Sequence, residues 1–170
     1  MGLRNVFWAV LVGGCVAFAT QTMAQNSPKV GDLIGDWVFN CRALSAKETI
    51  CAVTQSIADA KTKKQVLRLT LQKTGTPTTP LLHILLPQGV YLGANVSGAI
   101  DQKKQLKFTW RRCNNNGCQA SVKLDKDIIS AMKSGQKLEI GFKIQENAAP
   151  VTITASLKGM IAAFVALEIK

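Results

Sequence analysis

The chain has one histidine, His83, and only 10 acidic residues among 170. One imidazole cannot assemble a typical zinc site, and it leaves His83 as the sole candidate for histidine acid–base work. Also missing are a Gly-x-Ser-x-Gly elbow, a phosphate-binding glycine loop and a His-Glu-x-x-His motif. The few carboxylates, such as Asp59, Asp101 and Asp125, fall mostly in turns or at outward strand positions, so no acid pair announces a hydrolase. No internal repeat, low-complexity tract or domain-sized linker interrupts the chain. No cofactor is implied, and the class expected is non-enzymatic; a small periplasmic enzyme built on a carboxylate or His83 is the alternative.

What is present begins with an address. Met1-Gly2-Leu3-Arg4-Asn5 is a short basic start, Val6–Ala19 an apolar run of 14, and Met23-Ala24 a small-residue cut site before Gln25. That order reads as a secretory signal peptide over residues 1–24, followed by one β-rich domain over 25–170. A retained membrane anchor competes with this reading, but spanning needs about 20 apolar residues. Val12-Gly13-Gly14-Cys15 also loosely resembles a lipid-attachment box, although cleavage there would leave an apolar tail. Removing 24 of the 170 residues leaves 146, with 20 Lys+Arg against 10 Asp+Glu, a net charge of +10. The expected location is the periplasm or outer envelope, or outside the cell.

Four cysteines remain after the leader: Cys41, Cys51, Cys113 and Cys118. An even count in an exported chain argues for two disulfides, with zinc as the alternative. Trp37, Phe39 and Cys41 share one face of a strand, and Cys51, Val53 and Ile57 one face of the next. Pairing Cys41 with Cys51 sets Phe39 against Val53 and Trp37 against Gln55, across a long loop from Arg42 to Ile50. Leu67, Leu69 and Leu71 alternate next. Leu81–Leu86 is apolar on both faces, which predicts a central strand covered on each side. Short strands follow around Val90–Leu92 and Val96–Ile100. Asp125 can cap a helix over Lys126–Lys133, closed by Gly135. Two further alternating strands run through Leu138–Ile144 and Val151–Leu157. Lys158–Leu167 switches to a helical stripe of Met160, Ile161, Phe164, Val165 and Leu167. The pattern predicts an all-β fold, an antiparallel sandwich or flattened barrel, with a short helix after the Cys113–Cys118 hairpin and a helix at the C-terminus.

The hairpin Phe108–Leu124 holds a conflict of parity. Leu106, Phe108 and Trp110 share a face with Ala120, Val122 and Leu124 only if paired numbers have an even sum, whereas Cys113 and Cys118 sum to an odd one. Either an extra residue bulges, with Asn116-Gly117 the expected place, or the cysteine pairing is not local; the bulge is preferred, because crossed pairing would waste the clean register at Cys41 and Cys51. The four-residue spacing and the lack of a following helix start favour a structural staple over a redox pair. On the outward face Lys107, Thr109 and Arg111 are expected opposite Gln119, Ser121 and Lys123, with Arg112 close by. Lys61, Lys63, Lys64 and Arg68 form a second basic cluster. Either these are solvated strand faces, or Lys107, Arg111, Arg112 and Lys123 meet an anion. Nucleic acid is a poor partner for an exported chain without interleaved aromatics; an anionic lipid, a glycolipid or a protein of the envelope or host surface suits the address.

Gly35-Asp36-Trp37 with Cys41, Cys51 with Gln55, Leu86-Pro87-Gln88-Gly89-Val90, Cys113 to Gly117-Cys118-x-Ala120, and Ser156-Leu157-Lys158-Gly159 with Ala163 occur in this order. Together they resemble the invasion associated locus B family. Met160 departs from the aromatic the family more often has there. The resemblance implies a β-rich exported envelope protein of bacteria, with a founding member implicated in entry into red cells. It implies no catalytic residues.

Overall fold

The computed structural model describes residues 27–75 and 79–169. The signal peptide and the Cys15 alternative lie outside the described residues. Among these, ten strands form an antiparallel sheet: β1 (Leu33–Ile34), β2 (Trp37–Ser45), β3 (Glu48–Ala58), β4 (Gln65–Thr74), β5 (Thr79–Leu86), β6 (Val96–Ile100), β7 (Lys104–Asn114), β8 (Gly117–Lys123), β9 (Lys137–Phe142) and β10 (Val151–Ser156). Their spatial order is β1-β2-β3-β4-β5-β8-β7-β6-β9-β10. Two helices, α1 (Lys126–Ser134) and α2 (Met160–Ala166), complete the fold. This is the all-β class with two short helices that the alternation predicts.

Period-two patterning builds the inner face. Trp37, Val53, Leu67, Leu69, Leu71, Leu82 and Ile84 are fully buried from four consecutive strands. Each such side chain contributes roughly 1.5–3 kcal/mol by leaving water. Helix α1 starts where Asp125 Oδ1 accepts the Ile128 N–H at 2.8 Å, and ends where the Gly135 N–H reaches Ala131 O. It adds Ile128, Ile129 and Met132 to the same core, to which α2 adds Met160, Ala163 and Phe164.

The bulge lies elsewhere than expected. Strand β7 pairs with β6 through Lys104–Phe108 and with β8 from Thr109 onward. Between Trp110↔Ala120 and Arg112↔Gln119 the register shifts, so Arg111 is the extra residue. A bulge bends a strand, and here it sits where β7 passes from one partner to the other. Asn114↔Gly117 then closes a tight turn with Cys113 opposite Cys118, and these two are bonded. Cys41 is bonded to Cys51. Gly117 is needed for another reason: its φ is +130°, and a Cβ there would collide with the Leu86 carbonyl.

The far end of the sheet returns to its beginning. Gln55 is buried, and its amide donates to Asp36 O at 3.1 Å and Ser156 O at 3.2 Å while accepting the Ser156 N–H at 2.9 Å. Trp37 Nε1 donates to the same Ser156 carbonyl at 3.1 Å, and the Asp36 N–H to Lys158 O at 3.2 Å. Gly35 and Gly159, at φ of +64° and +95°, let the two backbones meet. Side chains therefore close β10 onto β2 and β3 where no ladder does.

Four further expectations are corrected. The Arg42–Ile50 loop is mostly ladder, since Arg42↔Ile50, Ala43↔Thr49 and Ser45↔Glu48 continue the β2–β3 pairing. Val90–Leu92 is turn and loop, with the Tyr91 N–H held by Lys143 O. On β5 only Leu82, Ile84 and Leu86 are buried; Leu81, His83 and Leu85 face outward, half-buried, because no helix or strand among the described residues packs over that face. The helical stripe of α2 is narrower than expected, leaving Ile161 and Val165 61% and 56% exposed.

Candidate functional site

The uncovered side of β2-β3-β4-β5-β8-β7 follows from the registers. Thr54↔Thr70, Thr70↔His83, His83↔Ser121 and Ser121↔Thr109 form one transverse row of outward side chains. Ser56↔Arg68, Arg68↔Leu85, Leu85↔Gln119 and Gln119↔Arg112 form the next. His83, the single histidine, lies at the centre. The Gln72 amide nitrogen is 3.3 Å from its Nε2, and the buried Nδ1 has no hydrogen-bond partner among the described residues. Burial, and secondarily the Arg111 charge, lower its pKa below the ordinary 6.5.

All four described arginines reach this one face. Arg42 extends the Val38–Asn40 outward set of β2, Arg68 stands on β4, and Arg111 and Arg112 follow the bend of β7. The bulge turns Arg111 back over the sheet, where its Nε donates to the buried Ser121 Oγ at 2.6 Å. Arg68 is braced by donating from Nε and Nη2 to Gln65 Oε1 at 3.1 and 2.9 Å. No arginine is in an ion pair among the described residues, where the pairs are Lys73–Glu168, Lys104–Asp127 and Lys137–Glu139. Two adjoining concavities share Arg68 and Thr70. One, about 220 Å³, is lined by Arg68, His83, Leu85, Arg112 and Gln119; the other, about 750 Å³, by Val38, Arg42, Ala52 and Thr54, with Asp36 as its carboxylate.

The expected ladder of Lys107, Arg111 and Lys123 does not form. The β7–β8 pairing begins at Thr109↔Ser121, so Lys107 lies opposite Ser97 on β6 and Lys123 opposite Leu81 on β5. The bend that separates the partners of β7 is the cause. Of the candidate anion-binding residues, Arg111 and Arg112 join the face, while Lys107 lies on the β6-paired half. Arg42 and Arg68 were placed in other sequence contexts, a loop and a separate basic cluster. Their parity opposite Cys41 and Leu67 was the signal that could have found them.

Among the described residues no nucleophile relay is assembled around His83. Ser121 is its cross-strand neighbour, but that hydroxyl accepts from Arg111, and the imidazole meets the Gln72 amide. No group of three or more His, Cys, Asp or Glu residues that could hold a metal occurs among the described residues. The arrangement is suited to binding: planar, always-charged donors over half-buried apolar and polar side chains.

Fold and face together define a disulfide-stapled antiparallel β-protein with a cationic open sheet. The chain belongs to the invasion associated locus B family, whose model, "Invasion associated locus B (IalB) protein", matches residues 37–168. Two invasion protein B homologs of Brucella abortus, from strains 2308 and 9-941, are each 29% identical over 163 residues, covering 96% of this chain and 91% of theirs. The crystal structure of invasion associated protein B from Bartonella henselae superposes with a TM-score of 0.71 at 18% identity, covering 81% of this chain and 93% of that one, a likeness of fold. The motif pieces that carry the resemblance are absorbed by two junctions. Gly35-Asp36-Trp37, Gln55 and Ser156–Gly159 build the closure; Leu86 and Gln88 meet the hairpin tip at Gly117 and, through Gln88 Nε2 at 2.9 Å, the Asn114 carbonyl.

Proposed function

We propose that this is an exported, non-enzymatic envelope protein that binds a phosphate-bearing anionic component of the envelope or host surface through its arginine face. The observation that carries the reading is the gathering of Arg42, Arg68, Arg111 and Arg112 on one face, none in an ion pair among the described residues. Like charges held together cost stability unless an anion compensates, and guanidinium forks match phosphate geometry. The two disulfides fit an oxidising compartment. Among the described residues no helix is long and apolar enough to cross a membrane, so contact with a lipid surface would be through headgroups. The relatives carry invasion in their names, and the same face would serve contact with a host surface.

The test is co-sedimentation with vesicles of phosphatidylcholine and phosphatidylglycerol at low and near-physiological salt. A variant with the four arginines changed to Gln is compared with one in which Lys103, Lys126, Lys143 and Lys158 are, an equal loss of charge. About 1 kcal/mol per surface cation predicts up to roughly a thousandfold weaker partitioning for the arginine variant at low salt. The lysine variant should lose less than about tenfold, and salt should weaken the wild type. Equal losses would show that net charge, not this face, is responsible.

A further inference from the structure

Resting on that reading, we infer that the face contains one discrete site, the concavity between Arg68 and Arg112, and that it takes a single phosphomonoester group. The two arginines occupy one transverse row, separated by Leu85 and Gln119, so their backbones stand about 14 Å apart at three strand spacings. Long side chains from both sides can converge over the strands between them. Arg68 is already oriented by Gln65, which engages Nε and Nη2, while among the described residues Nη1 has no hydrogen-bond partner. Among the described residues the side chains of Arg112, Gln119 and Asn116 make no hydrogen bond, and all three line the concavity. Two cationic forks and two neutral amides on opposite walls suit a tetrahedral group with three free oxygens better than a planar carboxylate. The volume, about 220 Å³, is below the roughly 300–1,000 Å³ of whole-molecule sites, which fits one headgroup and not an entire ligand. The half-buried Leu85 supplies an apolar floor for the first carbons beyond the ester. Lys126, exposed on α1 and absent from the lining of this concavity, serves as the internal control.

Three probes test this: inorganic phosphate by titration calorimetry, vesicles containing phosphatidic acid, and vesicles of equal charge containing phosphatidylglycerol, a diester. Wild type should bind phosphate saturably at one site. Arg68→Gln and Arg112→Gln should each weaken it at least about tenfold, and Arg112→Lys by less, because charge survives while the fork is lost. Lys126→Gln should stay within about twofold. Phosphatidic acid should be preferred to phosphatidylglycerol, and only through Arg68 and Arg112. Non-saturable phosphate binding would overturn the site while leaving the broader face intact, and equal effects of all three Gln variants would overturn the site in favour of a net-charge effect. Saturable phosphate binding by a protein indifferent to both vesicles would instead sink the lipid reading and leave a site for free phosphate. Circular dichroism of each variant verifies folding, which these exposed positions should not disturb.

Discussion

Gln55 offers the sharpest test of how the fold is closed. It is 8% exposed and satisfies three backbone hydrogen bonds between the start and the end of the sheet. Gln55→Leu conserves most of its volume but leaves the Ser156 N–H and the Asp36 carbonyl without this partner; Ser156 O keeps Trp37 Nε1. Leaving a buried polar group unmet costs about 1–3 kcal/mol, and this junction is only partly buried, so urea unfolding should show a loss of about 2–4 kcal/mol. Gln55→Glu is the discriminating variant. One carboxylate oxygen can still accept the Ser156 N–H, while the other faces the two carbonyls that the amide nitrogen had served. Repulsion there raises the new carboxyl's folded pKa above its unfolded value of about 4.3. Its penalty is therefore full above the folded pKa, and relative to wild type the variant should regain stability as pH falls through that value. Gln55→Leu should show no such recovery. A Leu variant within about 0.5 kcal/mol of wild type, or a Glu variant without acid recovery, would refute the closure.

Other expectations follow from the same geometry. The lowered pKa of His83 means that its stabilising contribution is complete above the ordinary 6.5 and is lost as pH falls below it; the acid-side slope in unfolding free energy should be present in wild type and missing in His83→Gln. Gly117→Ala should cost about 2–3 kcal/mol in urea unfolding, from the positive φ and the collision with the Leu86 carbonyl. Non-reducing peptide mapping should find Cys41–Cys51 and Cys113–Cys118, and loss of the first should destabilise more, about 3 against about 2 kcal/mol on the loop-entropy model. Ile161→Ser should change stability by less than about 0.5 kcal/mol, whereas Phe164→Ala, on the buried side of α2, should cost about 3–5 kcal/mol in the same assay.

Much of the fold was legible because strand alternation is local. The Cys41–Cys51 register, the leucine face of β4 and the Asp125 cap of α1 each depend on residues a few positions apart, and each lies where the pattern put it. The Cys113–Cys118 parity conflict left a bulge or a non-local pairing; the cysteines are bonded to each other, and the preferred bulge is present. Its position was not readable, because it depends on β7 changing partners, a fact of tertiary order. The same ignorance misplaced the Lys107–Lys123 ladder. Leu81–Leu86 looked covered because apolarity on both faces is ambiguous; half-exposed Leu81 and Leu85 flank His83 on an open sheet instead. The arginine face was hidden for a different reason. The outward parity of Arg42, Arg68 and Arg111 was visible, but that of Arg112 depends on the bulge at Arg111, and bringing Arg42, Arg68 and Arg112 to one surface requires the strand order β2-β3-β4-β5-β8-β7, which no local signal contains.

The central claim, that the open sheet is the binding surface, is tested most directly by amide NMR of the intact protein titrated with anionic bicelles. The account predicts shifts concentrated on the outward positions of β4, β5, β8 and the distal half of β7, centred on Arg68, His83, Ser121 and Arg112 and abolished by near-physiological salt. Shifts centred on the exposed apolar residues Leu33, Ile161 and Val165, or spread evenly over the lysines, would contradict it.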